Sequence, residues 1–272
     1  MKKLLTILCL VLLSSYSYSK EISRDQLVNR DGVYYEVNST TPFTGSVVDY
    51  YENGKLDGPS DSFHENGLLK FRGNYKNGKW DGLWEYYLEN GQLEYRENYK
   101  DGELDGLSEW FYDNGQLEER ENYKDGKEDG LFEFFYENGQ LGESGNYKEG
   151  KEDGLWEGYY ENGQLGSRGN FKNGKEDGLW ESYYENNQLW ERHTYKNGNG
   201  LFERFYENGQ LNLRGKHKNG YKDGLWENFF ETGQLKWKGN YKNGKQDGLW
   251  EYFDKEGNLT MTKEYKDGEL IG

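Results

Sequence analysis

The sequence contains no alanine, a single cysteine, three histidines and only two prolines in 272 residues. Alanine is the best helix former, so a chain without it is poorly suited to ordinary amphipathic helices. Aliphatic residues are also scarce. The apolar class reaches 33%, and more than half of it is aromatic, with 25 Tyr, 13 Phe and 9 Trp. Too few aliphatics remain to fill one large spherical core, and an elongated shape is expected instead. Low hydrophobicity with 31% charged residues usually signals disorder, but 17% aromatic residues argue against it.

Long apolar runs are missing except at the start. Lys2 and Lys3, the run from Leu4 to Leu13 and the small-x-small site Ser17-Tyr18-Ser19 predict a secretory signal peptide over residues 1–19, cleaved before Lys20. A membrane span needs about twenty apolar residues, twice what this run offers. Cleavage would remove Cys9, the only cysteine, and place the mature chain outside the cytoplasm: periplasmic, on the cell surface or secreted. Such a chain has no disulfide, no thiol nucleophile and no thiolate metal ligand. Basic charge is the minority, 34 residues against 50 acids, for a net charge of −16. That excess makes nucleic acid and anionic membrane surfaces poor partners, and leaves a basic partner or a polysaccharide as the better expectation.

What the chain does have is a repeat. Asp81-Gly82-Leu83-Trp84-Glu85 returns every 24 residues, as at Asp129-Gly130-Leu131-Phe132-Glu133, Asp153-Gly154-Leu155-Trp156-Glu157 and Asp177-Gly178-Leu179-Trp180-Glu181. The phase slips once, at Asn197-Gly198-Asn199, and the spacing resumes at Asp223 and Asp247. Counting a degenerate copy at Asp57-Gly58, nine units cover residues 57–272, preceded by N-terminal capping strands and a partial repeat over 20–56. A fixed period of this kind means an array in which each unit packs on its neighbours.

Each unit holds two short β-prone runs around a turn, as in Leu83 to Glu89, Asn90-Gly91, then Gln92 to Tyr99. Asn-Gly between alternating runs is the strongest short hairpin signal, so each unit is expected to be one hairpin with a two-residue turn. Pairing Glu89 with Gln92 puts Leu88 opposite Leu93, Tyr86 opposite Tyr95, Glu85 opposite Arg96 and Trp84 opposite Glu97. The charges test this register, because directly opposed residues share a face. Glu109 then meets Arg120, Glu157 meets Arg168 and Glu181 meets Arg192. With Asp61–Arg72, Glu203–Arg214 and Glu227–Lys238, seven of nine units oppose unlike charges, failing only at Glu133–Ser144 and Glu251–Thr262. The same register sets Trp156 over Gly169, Trp226 over Gly239, Phe132 over Gly145 and Phe202 over Gly215, where rings cover otherwise bare backbone. The expected fold is all-β: an elongated antiparallel sheet of tandem 24-residue hairpins, each advancing roughly 10 Å.

The order Asn-Gly-Gln-Leu, six residues, Tyr-Lys-x-Gly-x-x-Asp-Gly-Leu-Trp resembles the bacterial variant of MORN-repeat proteins over about residues 44–272. Asp31-Gly32-Val33-Tyr34-Tyr35 and Pro42-Phe43-Thr44-Gly45 look like the usual lead-in. The resemblance implies an elongated antiparallel ribbon that serves as scaffold or interaction surface, often with a membrane or protein partner. Some bacterial members are named as antitoxin-like.

No catalytic constellation is legible. His64, His193 and His217 occupy three different columns of the repeat and form no repeated ligand set. Asp101, Glu103 and Asp105 match no calcium-loop spacing and read as solvated turns. No Gly-rich phosphate loop is present, and no cofactor is implied. One column varies freely between copies: Tyr86, Trp110, Phe134, Gly158, Ser182, Arg204, Asn228 and Tyr252, paired with Tyr95, Glu119, Glu143, Ser167, Glu191, Leu213 and Trp237. Repeat packing demands nothing fixed there, so Tyr86, Tyr95, Trp110, Phe134 and Trp237 are the candidate partner-binding residues. The expected function is a non-enzymatic extracytoplasmic scaffold that binds an unidentified protein. The alternatives are a glycan or cell-wall binding module and an antitoxin or immunity protein.

Overall fold

The computed structural model of the protein describes residues 20–47, 55–196 and 198–272. The expected signal peptide, residues 1–19, lies outside the described residues. Strands and turns make up nearly all of the rest, and the single helical element is a 3-10 turn at Arg24–Gln26. One 23-stranded sheet runs through the array, in which successive hairpin strands pair antiparallel and the short segments Lys79–Trp80 and Lys151–Glu152 pair with the same strand as the segment that follows each of them. Among the described residues nine hairpins follow one another, from Gly58–Phe63 with Leu69–Lys76 to Lys245–Phe253 with Leu259–Lys266.

The turns differ from expectation in an instructive way. At Asn90-Gly91 the Leu88 amide donates to the Gln92 carbonyl and the Gly91 amide to the Leu88 carbonyl, both at 2.9 Å. This is a three-residue loop, Glu89-Asn90-Gly91, with Gly91 at φ 84°, the type I turn plus bulge arrangement. Asn90 Oδ1 accepts the Gln92 amide at 2.9 Å, which holds the longer loop in place. Tyr87, not Leu88, therefore stands opposite Leu93. An irregularity between Tyr86 and Tyr87 then restores the expected pairs Tyr86–Tyr95, Glu85–Arg96 and Trp84–Glu97. The extra loop residue and the bulge cancel. The two-residue mirror turn sits instead at the joints, where Lys100 pairs Glu103 around Asp101 (φ 51°) and Gly102 (φ 88°).

The first edge is not antiparallel. Lys20–Ile22 lies parallel to Gly45–Val47, and Leu27–Arg30 with Val33–Glu36 forms a separate two-stranded sheet around the Asp31-Gly32 turn. These elements enclose a small core of Phe43, Val47 and Phe63, with Ile22, Leu27, Tyr34 and Leu69 against it. Asp61 is buried beside that core, and its carboxylate accepts Arg24 at 2.6 Å and Arg72 at 2.8 Å. A buried carboxylate is tolerated where charge and hydrogen bonds are both matched.

Beyond this cap the array is one layer thick, so its apolar burial comes from rings lying along the sheet. Trp84, Trp156, Phe202, Trp226 and Trp250 are buried in one column. Each indole is met edge-on by the ring two rows away, as by Tyr75 on Trp84 (5.1 Å, 89°) and Tyr241 on Trp250 (5.2 Å, 81°). A buried aromatic takes about 150–250 Å² out of water, on the order of 4–6 kcal/mol before entropy is charged against it.

Candidate interaction surface

Side chains fasten each hairpin to its neighbour in a consistent direction. A β-carbon placed on Gly73 would lie inside the ring of Trp84, and the same holds for Gly145 with Trp156, Gly169 with Trp180, Gly215 with Trp226 and Gly239 with Trp250. The rings thus lean back over the preceding hairpin rather than over the glycine of their own. Trp156, Trp226 and Trp250 confirm the direction, donating Nε1–H to the carbonyls of Asn146, Lys216 and Asn240 at 3.2–3.3 Å.

The charge row shows the same offset. The expected backbone register is present: Glu85 opposite Arg96, Glu109 opposite Arg120, Glu157 opposite Arg168 and Glu181 opposite Arg192. The ion pairs, however, join successive hairpins. Arg96 binds Glu109, Arg120 binds Glu133 (2.5 Å), Arg168 binds Glu181 (2.7 Å) and Arg192 binds Glu203 (2.5 Å). Each guanidinium also lies over the ring two residues beyond its acid, as Arg96 over Phe111 and Arg120 over Phe135. Where Ser144 replaces the arginine, Glu157 keeps the hydroxyl of Tyr159, which donates at 3.0 Å, as Tyr183 donates to Glu181 at 2.9 Å beside Arg168. This face is a structural ladder, with an exposed leucine row at Leu83, Leu155, Leu225 and Leu249 beside it.

The other face carries the variable column. Tyr86 stacks on Tyr95 at 4.2 Å, and Tyr95 on Trp110 at 4.3 Å, both with 16° between ring planes. Phe71 extends the stack from the first hairpin, 5.9 Å from Tyr86. The sequence reading missed Phe71, which stands opposite Tyr86 across the joint between the first two hairpins. Trp110 is 38% exposed at the end of the row. Burial, then neighbouring Tyr95 and Glu97, raises the Tyr86 phenol, and burial, then Glu97 and Glu94, raises that of Tyr95, so both stay protonated hydroxyls at neutral pH.

Phe134 and Trp237 do not join this stack. Glu119 lies between Trp110 and Phe134 in the row, and Phe134 meets Tyr136 edge-on at 5.5 Å. Trp237 stacks on the buried Trp250 at 5.1 Å, far along the array. Of the five candidate residues, the fold gathers three: Tyr86, Tyr95 and Trp110.

The family model of the MORN repeat variant matches eight times in tandem, over residues 80–101, 104–125, 128–149, 152–173, 176–197, 199–219, 222–243 and 246–267. The chain belongs to the MORN repeat variant family. As a MORN-variant protein it is a repeat scaffold: one hairpin per repeat, fastened by the Trp, Arg and Tyr columns. No curated protein matches it. Among solved structures, the crystal structure of TcdB2-TccC3-Cdc42 aligns at 13% identity and TM-score 0.20, covering 88% of this chain and 16% of that one. The crystal structure of TcdB2-TccC3 aligns at 12% and 0.21, covering 86% and 16%. The MORN-variant chain thus spans about one sixth of those chains, and at such TM-scores neither likeness carries an argument about fold or activity.

Proposed function

We propose that this MORN-variant protein is a non-enzymatic scaffold that works outside the cytoplasm after loss of residues 1–19 and binds a protein partner on its ring face. The stacked trio Tyr86–Tyr95–Trp110 carries the reading. It occupies the variable column and the column paired with it, and it ends in a tryptophan that is 38% exposed. Exposed Trp and Tyr on a rigid support are favoured interface anchors, because they offer large contact area at little entropic cost.

A glycan would stack on ring faces, but Tyr86 and Tyr95 spend those faces on each other and on Trp110. With those faces engaged, the trio suits a protein surface better than a sugar ring. The test is capture from envelope extracts by the wild-type chain and by Trp110→Ala and Tyr86→Ala. A saturable protein partner that both variants lose supports the reading. Sedimentation with purified cell wall that depends on the same rings, without a protein partner, replaces it by the glycan alternative.

A further inference from the structure

The ring face departs from its own repeat in the hairpin Glu103–Phe111 with Leu117–Lys124. There Ser108 stands where five other hairpins carry the column tryptophan. Its registered neighbours are Glu97 on one side and Glu121 on the other, in place of the glycine seats. Directly opposed side chains share a face, so the row reads Glu97, Ser108, Glu121. The next row of the same face holds Tyr95, Trp110 and Glu119.

Ser108 is 3% exposed, and its hydroxyl has no hydrogen-bond partner among the described residues. Tyr99 donates its hydroxyl to Glu97 at 2.6 Å and Tyr123 to Glu121 at 2.5 Å. These fix the two carboxylates without neutralising them. Among the described residues no ion pair holds Glu97, Glu119 or Glu121, whereas the acids of the opposite face are matched by arginines hairpin after hairpin. Burial, then Glu121 and Glu118, pushes the Glu119 carboxyl above the ordinary carboxylate range, as expected for acids that lack a countercharge.

Among the described residues no three acidic or histidine side chains converge to hold a metal ion. The acids are instead spread across two rows and flanked by rings. That spacing suits a cation on a long side chain, one that packs against an aromatic ring and donates to separate carboxylates. We propose that Glu97, Ser108 and Glu121, with Trp110 and Glu119 beside them, form a binding site for a cationic side chain, arginine or lysine, of a partner protein. The site deepens the protein-binding reading above and rests on it, with the exposed end of the ring stack as its apolar wall. The chain's net charge of −16 would draw such a partner in.

The experiment is fluorescence anisotropy at about 150 mM salt, where long-range attraction is screened. The probes are a labelled Gly-Arg-Gly-Arg-Gly-Arg-Gly peptide and its lysine and glutamate counterparts. Saturable binding of a cationic peptide is expected, weakened at least about tenfold in Glu97→Gln/Glu121→Gln and no more than about twofold in Glu161→Gln/Glu185→Gln. The second pair lies on exposed turns and removes the same charge. Glutamine still accepts the tyrosine hydroxyls, so the first pair keeps its fold, checked by thermal melting. Equal losses in the two double variants, or no saturable binding, overturn the site. A captured partner that is lost on Trp110→Ala but kept by Glu97→Gln/Glu121→Gln also overturns it, while leaving the protein-binding reading intact. Site-dependent peptide binding without a captured partner supports the site and removes the broader reading.

Discussion

Trp226 lies over Gly215 of the preceding hairpin and donates its indole N–H to the carbonyl of Lys216 at 3.2 Å. The relationship generalises. Every tryptophan of this column, at positions 84, 156, 180, 226 and 250, follows a glycine by eleven residues, whereas Ser108 and Phe132 follow Glu97 and Glu121 by eleven, and Phe202, just past the phase slip, is opposed by His193 nine residues before it. The indole needs a seat without a β-carbon, and the smaller residues do not.

Gly215→Ala should therefore destabilise the protein by about 1–3 kcal/mol, the usual range for a forced overpacking. Trp226→Phe alone should cost a similar amount through lost packing. The double variant recreates the natural pairing of a non-glycine seat with phenylalanine, so its cost should fall short of the sum by about 0.5 kcal/mol or more. Urea denaturation of the four proteins measures this, and strict additivity would show that ring and seat are independent.

The direction of the ion pairs can be tested in the same manner. Arg168 has Glu157 opposite it in its own hairpin and Glu181 opposite it in the next, but binds only Glu181, at 2.7 Å. A double-mutant cycle over Arg168 and Glu181 should give a coupling of about 0.2–1 kcal/mol, modest because the arginine is well exposed. The cycle over Arg168 and Glu157 should give almost none. Equal couplings would mean that the guanidinium shares its time between both acids.

This ambiguity marks the limit of what was legible in the sequence. The period, the hairpins and the register through Glu85–Arg96 follow from turn spacing and charge, and so does the meeting of Tyr86, Tyr95 and Trp110. Yet each strand has an equivalent partner on both sides, so backbone register alone does not say which way Arg96 or Trp156 leans. That choice belongs to rotamers and sheet twist. The spacing of eleven between glycine and tryptophan carries the answer, but only as a correlation between copies. The loops were ambiguous for a similar reason. Asn-Gly and Asp-Gly suit a mirror turn equally, and the side chain of Asn90, by capturing the Gln92 amide, favours the longer loop at one of the two sites. Phe134 and Trp237 share the variable rows with the trio, but Glu119 and distance along the array separate them from it.

The indoles are not equivalent, and a milder substitution separates them. Trp84 is 1% exposed, but its Nε1–H finds no acceptor, while that of Trp226 does. Both lose packing on conversion to phenylalanine. Trp226→Phe also leaves the Lys216 carbonyl without that donor, whereas Trp84→Phe removes an unsatisfied buried group. Trp226→Phe should therefore cost about 1 kcal/mol more than Trp84→Phe in chemical denaturation. The reverse order would mean that the Trp84 N–H is satisfied in solution.

His217 occupies a column that holds tyrosine or phenylalanine in other hairpins, packed edge-on against Trp226 at 5.2 Å. Burial, then the nearby Lys222 and His193, holds its imidazole below the ordinary value. A folded pKa below that of the unfolded chain means that the unfolded state takes up the proton first. The stabilising contribution is then complete above the unfolded value, about 6.5, and is lost as pH falls through the depressed folded value. The raised carboxyls of Glu119 and Glu143 act with opposite sign, gaining stability as they protonate, so only a difference between proteins isolates the histidine. Unfolding free energies of wild type and His217→Tyr, compared from about pH 7 to pH 5, should show wild type losing more stability on acidification. Tyrosine does not titrate in that window and restores the ring that the column carries elsewhere. Parallel curves would place the acid sensitivity of the array in its carboxylates instead.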